Sequence, residues 1–305
     1  MKYSPFSLGA TLYMPATRED IISVATENKI QNLKSMVICL EDAVAECDVD
    51  LALNNLETIT NELSRKTSLI NRPFIFIRPR STEMAEFIIR NYDLHGIDGF
   101  VFPKFTFDTL DEWTRITGET HLLWMPTLET KEVFNAAEMQ KLADALSQHP
   151  MKDRIIAIRI GGNDLMGVLG VRRSRSETIY QGPLGYVIKM LVCIFGAMGF
   201  SLTSPVFELI DKPRLLQEEI EQDLIHGLVG KTVIHPTQIE YVQNAWMVEH
   251  TEYEDALRII NSTKAVYQFA GAMCEPATHH QWAKNILERS KVFGVSHLNK
   301  ELFSI

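Results

Sequence analysis

Two acidic residues each follow a short apolar segment that is typical of a β-strand. Glu129 stands in "WMPTLET" and Asp164 in "IRIGGNDL", one strand-helix unit further along the chain. A hard divalent cation such as Mg²⁺ prefers oxygen ligands and keeps several waters, so one or two carboxylates are enough to hold it. Carboxylates at strand ends can instead cap a helix or pair with a base, and for Glu129 alone that is the better interpretation. With Asp164 on the next strand, the pair favours a metal site.

Basic residues follow two other apolar segments. Arg78 ends "PFIFIR", and an arginine beside a metal can clamp a substrate carboxylate while the cation polarises a neighbouring carbonyl. The alternative is that Arg78 only satisfies Glu41 or Asp42 in a structural ion pair. Lys104 in "FPKF" either neutralises these acids or contacts the substrate, and the sequence favours neither role.

The elements that would position these residues alternate along the chain. Eight apolar segments predict strands: Leu8–Met14, Met36–Leu40, Pro73–Ile77, Gly99–Phe102, Leu122–Met125, Ile155–Ile160, Phe200–Val206 and Thr232–Ile234. Helical spacing of apolar residues separates them, as in Leu51, Ala52, Leu56, Ile59 and Leu63. This α/β pattern predicts a (β/α)₈ TIM barrel with its chemistry at the carboxyl ends of the strands.

One rim of such a barrel would gather most of the chemically capable residues. The residues at or just after predicted strand ends are Glu41, Asp42, Arg78, Lys104, Glu129, Asp164 and His235. His235 precedes a proline, and a structural role is the safer interpretation for it. Gly161 and Gly162 permit close approach of the backbone beside Asp164, either for a tight turn or for contact with a ligand.

The carboxyl-terminal segment predicts helices rather than further strands. Ala256 and Ile259 indicate one helix and Trp282 and Ile286 another, with a loop at "FAGAMCEPATHH". We therefore expect a catalytic barrel over residues 1–248 and, over residues 249–305, a helical extension that acts as a lid or as an oligomerisation segment.

Composition excludes several functional classes. The chain has 305 residues and a net charge of -9, which argues against a broad nucleic-acid-binding face. The densest basic segment, "VRRSRS" with Arg172, Arg173 and Arg175, is interpreted as a solvated loop, with an anion anchor as the alternative. The segment 187–200 is too short and interrupted to span a bilayer, so we expect a buried helix and no membrane role. Four cysteines without CxxC spacing, and no amino-terminal signal, favour a reduced cytoplasm.

Seven ordered motifs resemble those of the citrate lyase β-subunit and malyl-coenzyme A lyase superfamily, the HpcH/HpaI aldolase/citrate lyase family. They are "LGATLYMPA", "MVICLEDAVAE", "FIFIRPR", "GIDGFVFPKF", "MPTLET", "IRIGGNDLMGVLG" and "GLVGKTVIHPTQIEYVQNAW". The resemblance identifies the chain as a divergent citrate lyase β-subunit-like paralogue. It implies a lyase that cleaves or forms a carbon-carbon bond next to a carbonyl in an oxaloacetate- or pyruvate-like acid.

The resemblance also implies roles for individual residues. Glu129 and Asp164 would bind Mg²⁺, Arg78 would contact the carboxylate or carbonyl oxygen of the substrate, and Glu41 and Asp42 would orient a water of the metal. The cation and the guanidinium would offset the negative charge of the enolate that forms when the bond breaks. Lys104, Gly161 and Gly162 are the remaining candidate substrate contacts.

Some positions depart from the family pattern. Gly9 replaces an arginine of the first motif, and Val49 and Leu53 stand where relatives carry a lysine and an arginine. Glu275, in "GAMCEPA", takes the place of a catalytic aspartate, and its longer side chain can do acid-base work only if the lid holds it within reach. These departures argue against a coenzyme A thioester as co-substrate, although the family makes it a candidate.

Relatives form trimers or hexamers and act with partner enzyme subunits, so the resemblance implies a homo-oligomer. The replaced residues also motivate a second hypothesis: a barrel without catalysis that senses a ligand or assembles a complex.

Overall fold

In a computed structural model of the chain, the structure describes residues 3–66 and 72–296. The chain divides into two compact units, Met1–Val242 and Gln243–Ile305. The sequence-based boundary at residues 248/249 falls inside the second unit, within a short strand.

The first unit contains eight parallel strands. They are β1 Gly9–Pro15, β2 Ser35–Cys39, β3 Phe74–Arg78, β4 Gly99–Phe102, β5 Leu123–Leu128, β6 Ile158–Ile160, β7 Leu202–Thr203 and β8 Gly230–Val233. Their order is β7-β6-β5-β4-β3-β2-β1-β8, and a parallel bridge between Ser204 and Lys231 joins the two ends. The predicted (β/α)₈ barrel is confirmed.

Helices follow every strand of the barrel. They are α1 Ile21–Thr26, α2 Val49–Arg65, α3 Thr82–Asn91, α4 Leu110–Thr117, α5 Ala136–Gln148, α6 Gly162–Val168, α7 Pro183–Ala197, α8 Pro213–Ile225 and α9 Thr237–Ala245. Short 3₁₀ turns cover Pro5–Leu8, Glu46–Asp48, Lys131–Phe134, Lys152–Arg154 and Ile179–Gln181. The apolar segment 187–200 belongs largely to α7, as predicted for a buried helix.

Burial explains why these segments fold as they do. All residues of β2 and β4 are buried, as expected for parallel strands that have helices on one side and the barrel interior on the other. On α2 the buried face contains Ala52, Leu56 and Leu63, whereas Leu51 is exposed although its spacing predicted burial. Leu51 lies about 100° around the helix from Ala52, outside the buried stripe.

The second unit has a small apolar core of its own. Its elements are β9 Val248–Glu249, α10 His250–Asn261, β10 Tyr267–Phe269, β11 Ala272–Cys274, α11 Pro276–Phe293 and β12 Val295–Ser296. Val248, Ala256 and Ile286 are among the residues buried together. The predicted loop at 269–280 is wrong, because it contains part of an antiparallel hairpin and the start of α11. Ala270 and Gly271 both have positive φ, as the two central residues of a tight hairpin turn require.

Within the ranges 3–66 and 72–296, the helices are all too short or too polar to cross a membrane.

Candidate active site

A cavity of about 610 Å³ opens at the carboxyl ends of the barrel strands. Its lining includes Asp42, Arg78, Glu129 and Asp164 from four different strand ends, together with Gly161 and Gly162. This is the rim at which barrel enzymes carry their catalytic residues. The structure therefore brings the predicted metal, substrate and acidic residues of the barrel to one place.

Arg78, the last residue of β3, lies among the acids. Its Nη2 atom is 2.6 Å from Glu41 Oε2, 3.0 Å from Glu129 Oε1 and 3.9 Å from Asp42 Oδ2. The ion pairs of the structural alternative are therefore present, and a contact of Arg78 with a substrate stays a prediction. The guanidinium is not saturated, however, because its Nε–H has no hydrogen-bond partner among the described residues.

Lys104 follows β4 and contacts the same acids through both its backbone and its side chain. Its backbone N–H donates to Glu129 Oε1 over 2.7 Å, and its Nζ lies 3.1 Å from Glu41 Oε1. This geometry needs a φ of 48° at Lys104, a left-handed conformation that is rare for residues with a side chain. Backbone strain of this kind is concentrated at functional sites.

Glu129 is held in place from three sides. Arg78 and the Lys104 N–H donate to its carboxylate, and Gly161 passes close to the side chain on the neighbouring strand end. A Cβ atom at Gly161 would lie 2.4 Å from Glu129 Cβ and 2.5 Å from Oε2. Gly162 has a packing role instead, because a Cβ there would lie 2.7 Å from Pro205 Cβ. Both glycines also line the cavity, so their contact with a ligand stays a prediction.

Burial and crowding of like charges raise the pKa values of the acids. Burial, opposed by Arg78 and reinforced by Asp164, raises the pKa of Glu129 to about 7. Burial followed by the charge of Asp42 raises the pKa of Asp164, and burial raises the pKa of Glu41 against the effect of Arg78. Burial alone would lower the pKa of Arg78, but the charge of Glu129 and its neighbours raises it. These carboxyl groups therefore keep their protons to a higher pH than free carboxyl groups do, because burial and neighbouring acids disfavour their charged forms.

The donor set fits a hard divalent cation. Four carboxyl groups lie close together there, and a bound Mg²⁺ would favour the charged forms that burial and mutual repulsion disfavour. The described ranges contain no group of three or more His, Cys, Asp or Glu side chains arranged as a metal cage. Mg²⁺ does not need one, because it binds through one or two carboxylates and its own waters. Glu129 and Asp164, which line the cavity together, are the residues that would hold it.

The structure adds a residue that the sequence analysis missed. Arg159, in the middle of β6, is only 2% exposed and lines the cavity beside Thr127 and Thr232. A charged residue inside the apolar segment "IAIRIGG" was the available signal, because arginine is almost never buried without a partner or a function.

Three other predicted groups lie elsewhere. The interpretation of "VRRSRS" as a solvated loop is wrong for Arg173, whose buried guanidinium pairs with Glu208 and Glu219. His235 is bonded to Thr237 at the start of α9, in line with a structural role. Glu275 directly precedes α11 in the second unit, and its proposed acid-base role stays a prediction.

Comparisons with known proteins extend along most of the chain. The profile of the C-C bond lyases of the TIM-barrel fold matches residues 2–295. A (3S)-malyl-CoA thioesterase of Cereibacter sphaeroides is 25% identical over 266 residues, which cover 85% of this chain and 84% of that protein.

Solved structures of similar proteins share the fold. Protein CitE from Mycobacterium tuberculosis, in complex with magnesium, acetoacetate and coenzyme A, superposes with a TM-score of 0.68 at 21% identity, over 94% of this chain and 99% of that chain. The citrate lyase β-subunit from the same organism, complexed with oxaloacetate and magnesium, gives a TM-score of 0.58 at 22% identity, over 79% and 98%. At these identities the likeness establishes the common fold.

Proposed function

This chain belongs to the C-C bond lyase family of the TIM-barrel fold, within the citrate lyase β-subunit-like superfamily, and from this we propose a specific chemistry. We propose that it is a Mg²⁺-dependent carbon-carbon lyase or aldolase that acts on a small 2-oxo or 3-hydroxy acid. The observation that carries the proposal is the convergence of Glu129, Asp164 and Arg78 on one cavity at the carboxyl ends of the strands.

In this proposal each residue of the rim has a task. Glu129 and Asp164 hold Mg²⁺, which when bound supplies a Lewis acid next to the carbonyl oxygen of the substrate. Arg78 binds the substrate carboxylate and stabilises the negative charge that develops as the bond breaks. Glu41 fixes the guanidinium of Arg78 from behind, and the N–H of Lys104 fixes the carboxylate of Glu129.

Two further assignments belong to the same proposal. Asp42 is exposed in the cavity and orients water there, and Glu275 is the candidate acid-base group of the second unit. A coenzyme A thioester is the second substrate class to test. The names of the thioesterase relative and of the CitE complex support it, and the departures at Gly9, Val49 and Leu53 argue against it.

The metal pair can be tested with two charge-removing substitutions. Glu129→Gln and Asp164→Asn should each abolish Mg²⁺ binding in calorimetry, together with turnover of oxaloacetate, pyruvate and acyl thioesters, while circular dichroism shows an intact fold. Glu132→Gln, on the 3₁₀ turn just after β5, removes a carboxylate outside the cavity and should change neither.

The outcomes separate the two hypotheses. Turnover that depends on Mg²⁺ and on both carboxylates supports the lyase. Turnover that survives in both variants contradicts it. Tight binding of an oxo acid by the wild type without any product favours the sensor or assembly barrel.

A further inference from the structure

A second buried guanidinium faces the cavity beneath the acidic rim, the group of carboxyl side chains formed by Glu41, Asp42, Glu129 and Asp164. Arg159 is nine-tenths or more buried, and its Nη2 donates to the Thr232 hydroxyl while its Nη1 donates to Met125 Sδ over 3.7 Å. Both acceptors are neutral, and so is the Tyr13 hydroxyl, to which the side chain is also hydrogen-bonded. In the described part of the chain no carboxylate oxygen lies within 4 Å of Arg159, and burial lowers the pKa of this arginine.

Three other buried cations in the described part of the barrel have acidic partners. Lys231 lies 2.9 Å from Glu219 and 2.8 Å from Asp223, and Arg173 pairs with Glu208 and Glu219. Arg78 pairs with Glu41 and Glu129. A buried charge without a counterion costs several kcal/mol. Arg159 is therefore an exception that the packing of the barrel does not explain, and a counterion from outside the chain would explain it.

Thr127 adds a second unused group at the same depth. It is the register partner of Arg159 on β5, it lines the cavity, and its buried hydroxyl has no hydrogen-bond partner among the described residues. A hydroxyl and a guanidinium on adjacent strands are suited to the two oxygens of one carboxylate.

Tyr13 links this inner group to the rim. The guanidinium carbon of Arg78 lies 6.0 Å from the centre of the Tyr13 ring, and that of Arg159 lies 5.2 Å from it. Tyr13 itself lines the cavity. Both guanidinium groups therefore lie near one aromatic ring of the cavity lining.

We propose that Arg159 and Thr127, with Tyr13 and Thr232 beside them, form an inner subsite for a second carboxylate of the substrate. The substrate class is then a short oxo dicarboxylic acid, with one carboxylate at Arg78 and the other at Arg159. This inference rests on the proposed function and narrows its substrate from oxo acids in general to diacids.

The test compares two ligands of the same carbon skeleton, oxaloacetate and 2-oxobutyrate, in which a methyl group replaces the distal carboxylate. In calorimetry with Mg²⁺ present, oxaloacetate should bind at least about tenfold more tightly than 2-oxobutyrate, because one charge-assisted hydrogen bond contributes a factor of about that size. Arg159→Met should reduce this ratio to near one, and Thr127→Val should reduce it about threefold, since it removes a single hydroxyl. Arg72→Met, which removes an arginine paired with Asp98 outside the cavity, should leave the ratio unchanged.

Thermal melting of each variant checks that it is folded. If Arg159→Met does not fold, Thr127→Val provides the test instead. Equal affinity of the wild type for oxaloacetate and 2-oxobutyrate overturns the inner subsite. So does an unchanged preference for oxaloacetate in Arg159→Met. If Arg159→Met does not fold, an unchanged preference in Thr127→Val overturns it. If the inner subsite is overturned but 2-oxobutyrate binding still requires Mg²⁺ and Glu129, the lyase proposal stands without the subsite. Failure of both acids to bind with Mg²⁺ present overturns both.

Discussion

At the scale of single residues, Gly161 controls the position of Glu129. Gly161→Ala would place a methyl group 2.5 Å from Glu129 Oε2, so the carboxylate must move. Because a misplacement of about 1 Å at a catalytic group can cost about 100-fold in rate, we expect Mg²⁺-dependent turnover to fall by about that factor. Calorimetry should also detect weaker Mg²⁺ binding.

Gly196→Ala is the matched control. Gly196 is exposed in α7, and a methyl group added there would meet nothing within 4 Å, so alanine should be neutral or slightly stabilising. Equal Mg²⁺ affinity in Gly161→Ala and the wild type would mean that Glu129 does not ligate the ion.

Lys104 gives a prediction about strain. Because its φ is 48°, a residue with a Cβ atom is unfavourable there, and glycine is not. Lys104→Gly should therefore be more stable than Lys104→Ala by about 1 kcal/mol, the cost of the left-handed conformation. Urea denaturation measures the difference. Both variants lose the ammonium, so the comparison isolates the backbone, and an equal or more stable alanine variant would contradict it.

Residue types and positions in the sequence were enough to find the acidic rim but not the inner arginine. Carboxylates and cations that follow apolar segments converge in a barrel, which is why Glu129, Asp164 and Arg78 could be grouped in advance. Their roles stay predictions. Arg159 lies inside such a segment. Its charge there was a visible signal, but the direction of its side chain and the absence of a nearby acid are not visible in the sequence.

At the scale of elements, His149, the residue directly after α5, connects to the side of α4 as a neutral ring. The Thr114 hydroxyl donates to the Leu110 carbonyl and so accepts from His149 Nε2–H, while His149 Nδ1 accepts the N–H of Met151. A protonated ring could not accept this bond, and burial lowers the pKa of His149 below its usual value of 6.5.

This depressed pKa gives a pH dependence with a definite sign. As pH falls through about 6.5, the unfolded chain takes up a proton that the folded ring does not, so the free energy of unfolding decreases until the lower folded-state pKa is reached. Denaturation of the wild type and of His149→Gln between about pH 8 and pH 5 should show a smaller loss in the variant. Identical slopes would contradict this role for His149.

Element types were predictable because each strand is a short apolar segment and most helices have a clear apolar face. The residues at which the elements begin and end were not predictable in the same way. The eighth strand begins at Gly230, two residues before its predicted start, where Gly230 passes close to the backbone of Gly9. The hairpin β10–β11 was missed because Ala270, and not Asn or Gly, occupies the first central position of its turn.

At the scale of the whole barrel, a buried ionic network contributes to stability. Lys231 of β8 contacts Glu219 and Asp223 of α8, Tyr180 donates to Asp223, and Arg173 pairs with Glu219. Lys231→Met would leave two buried acids without their central cation. We expect the free energy of unfolding to fall by about 3–5 kcal/mol, the usual cost of removing one member of a buried pair.

Urea denaturation tests this prediction. Lys212→Met, at the residue before α8, removes a lysine outside the network and should cost little. A loss below about 1 kcal/mol in Lys231→Met, the range of exposed pairs, would count against the network.

The join between β7 and β8 has a consequence for the dynamics of the barrel. β7 has only two residues, and the ring of strands closes through the bridge from Ser204 to Lys231 and a few neighbouring bonds. Few backbone bonds protect this seam, so local opening there should cost less than elsewhere in the barrel. In heavy water, the amides of Ser204 and Thr232 should exchange their protons for deuterium sooner than those of β2, which is bonded along its full length on both sides.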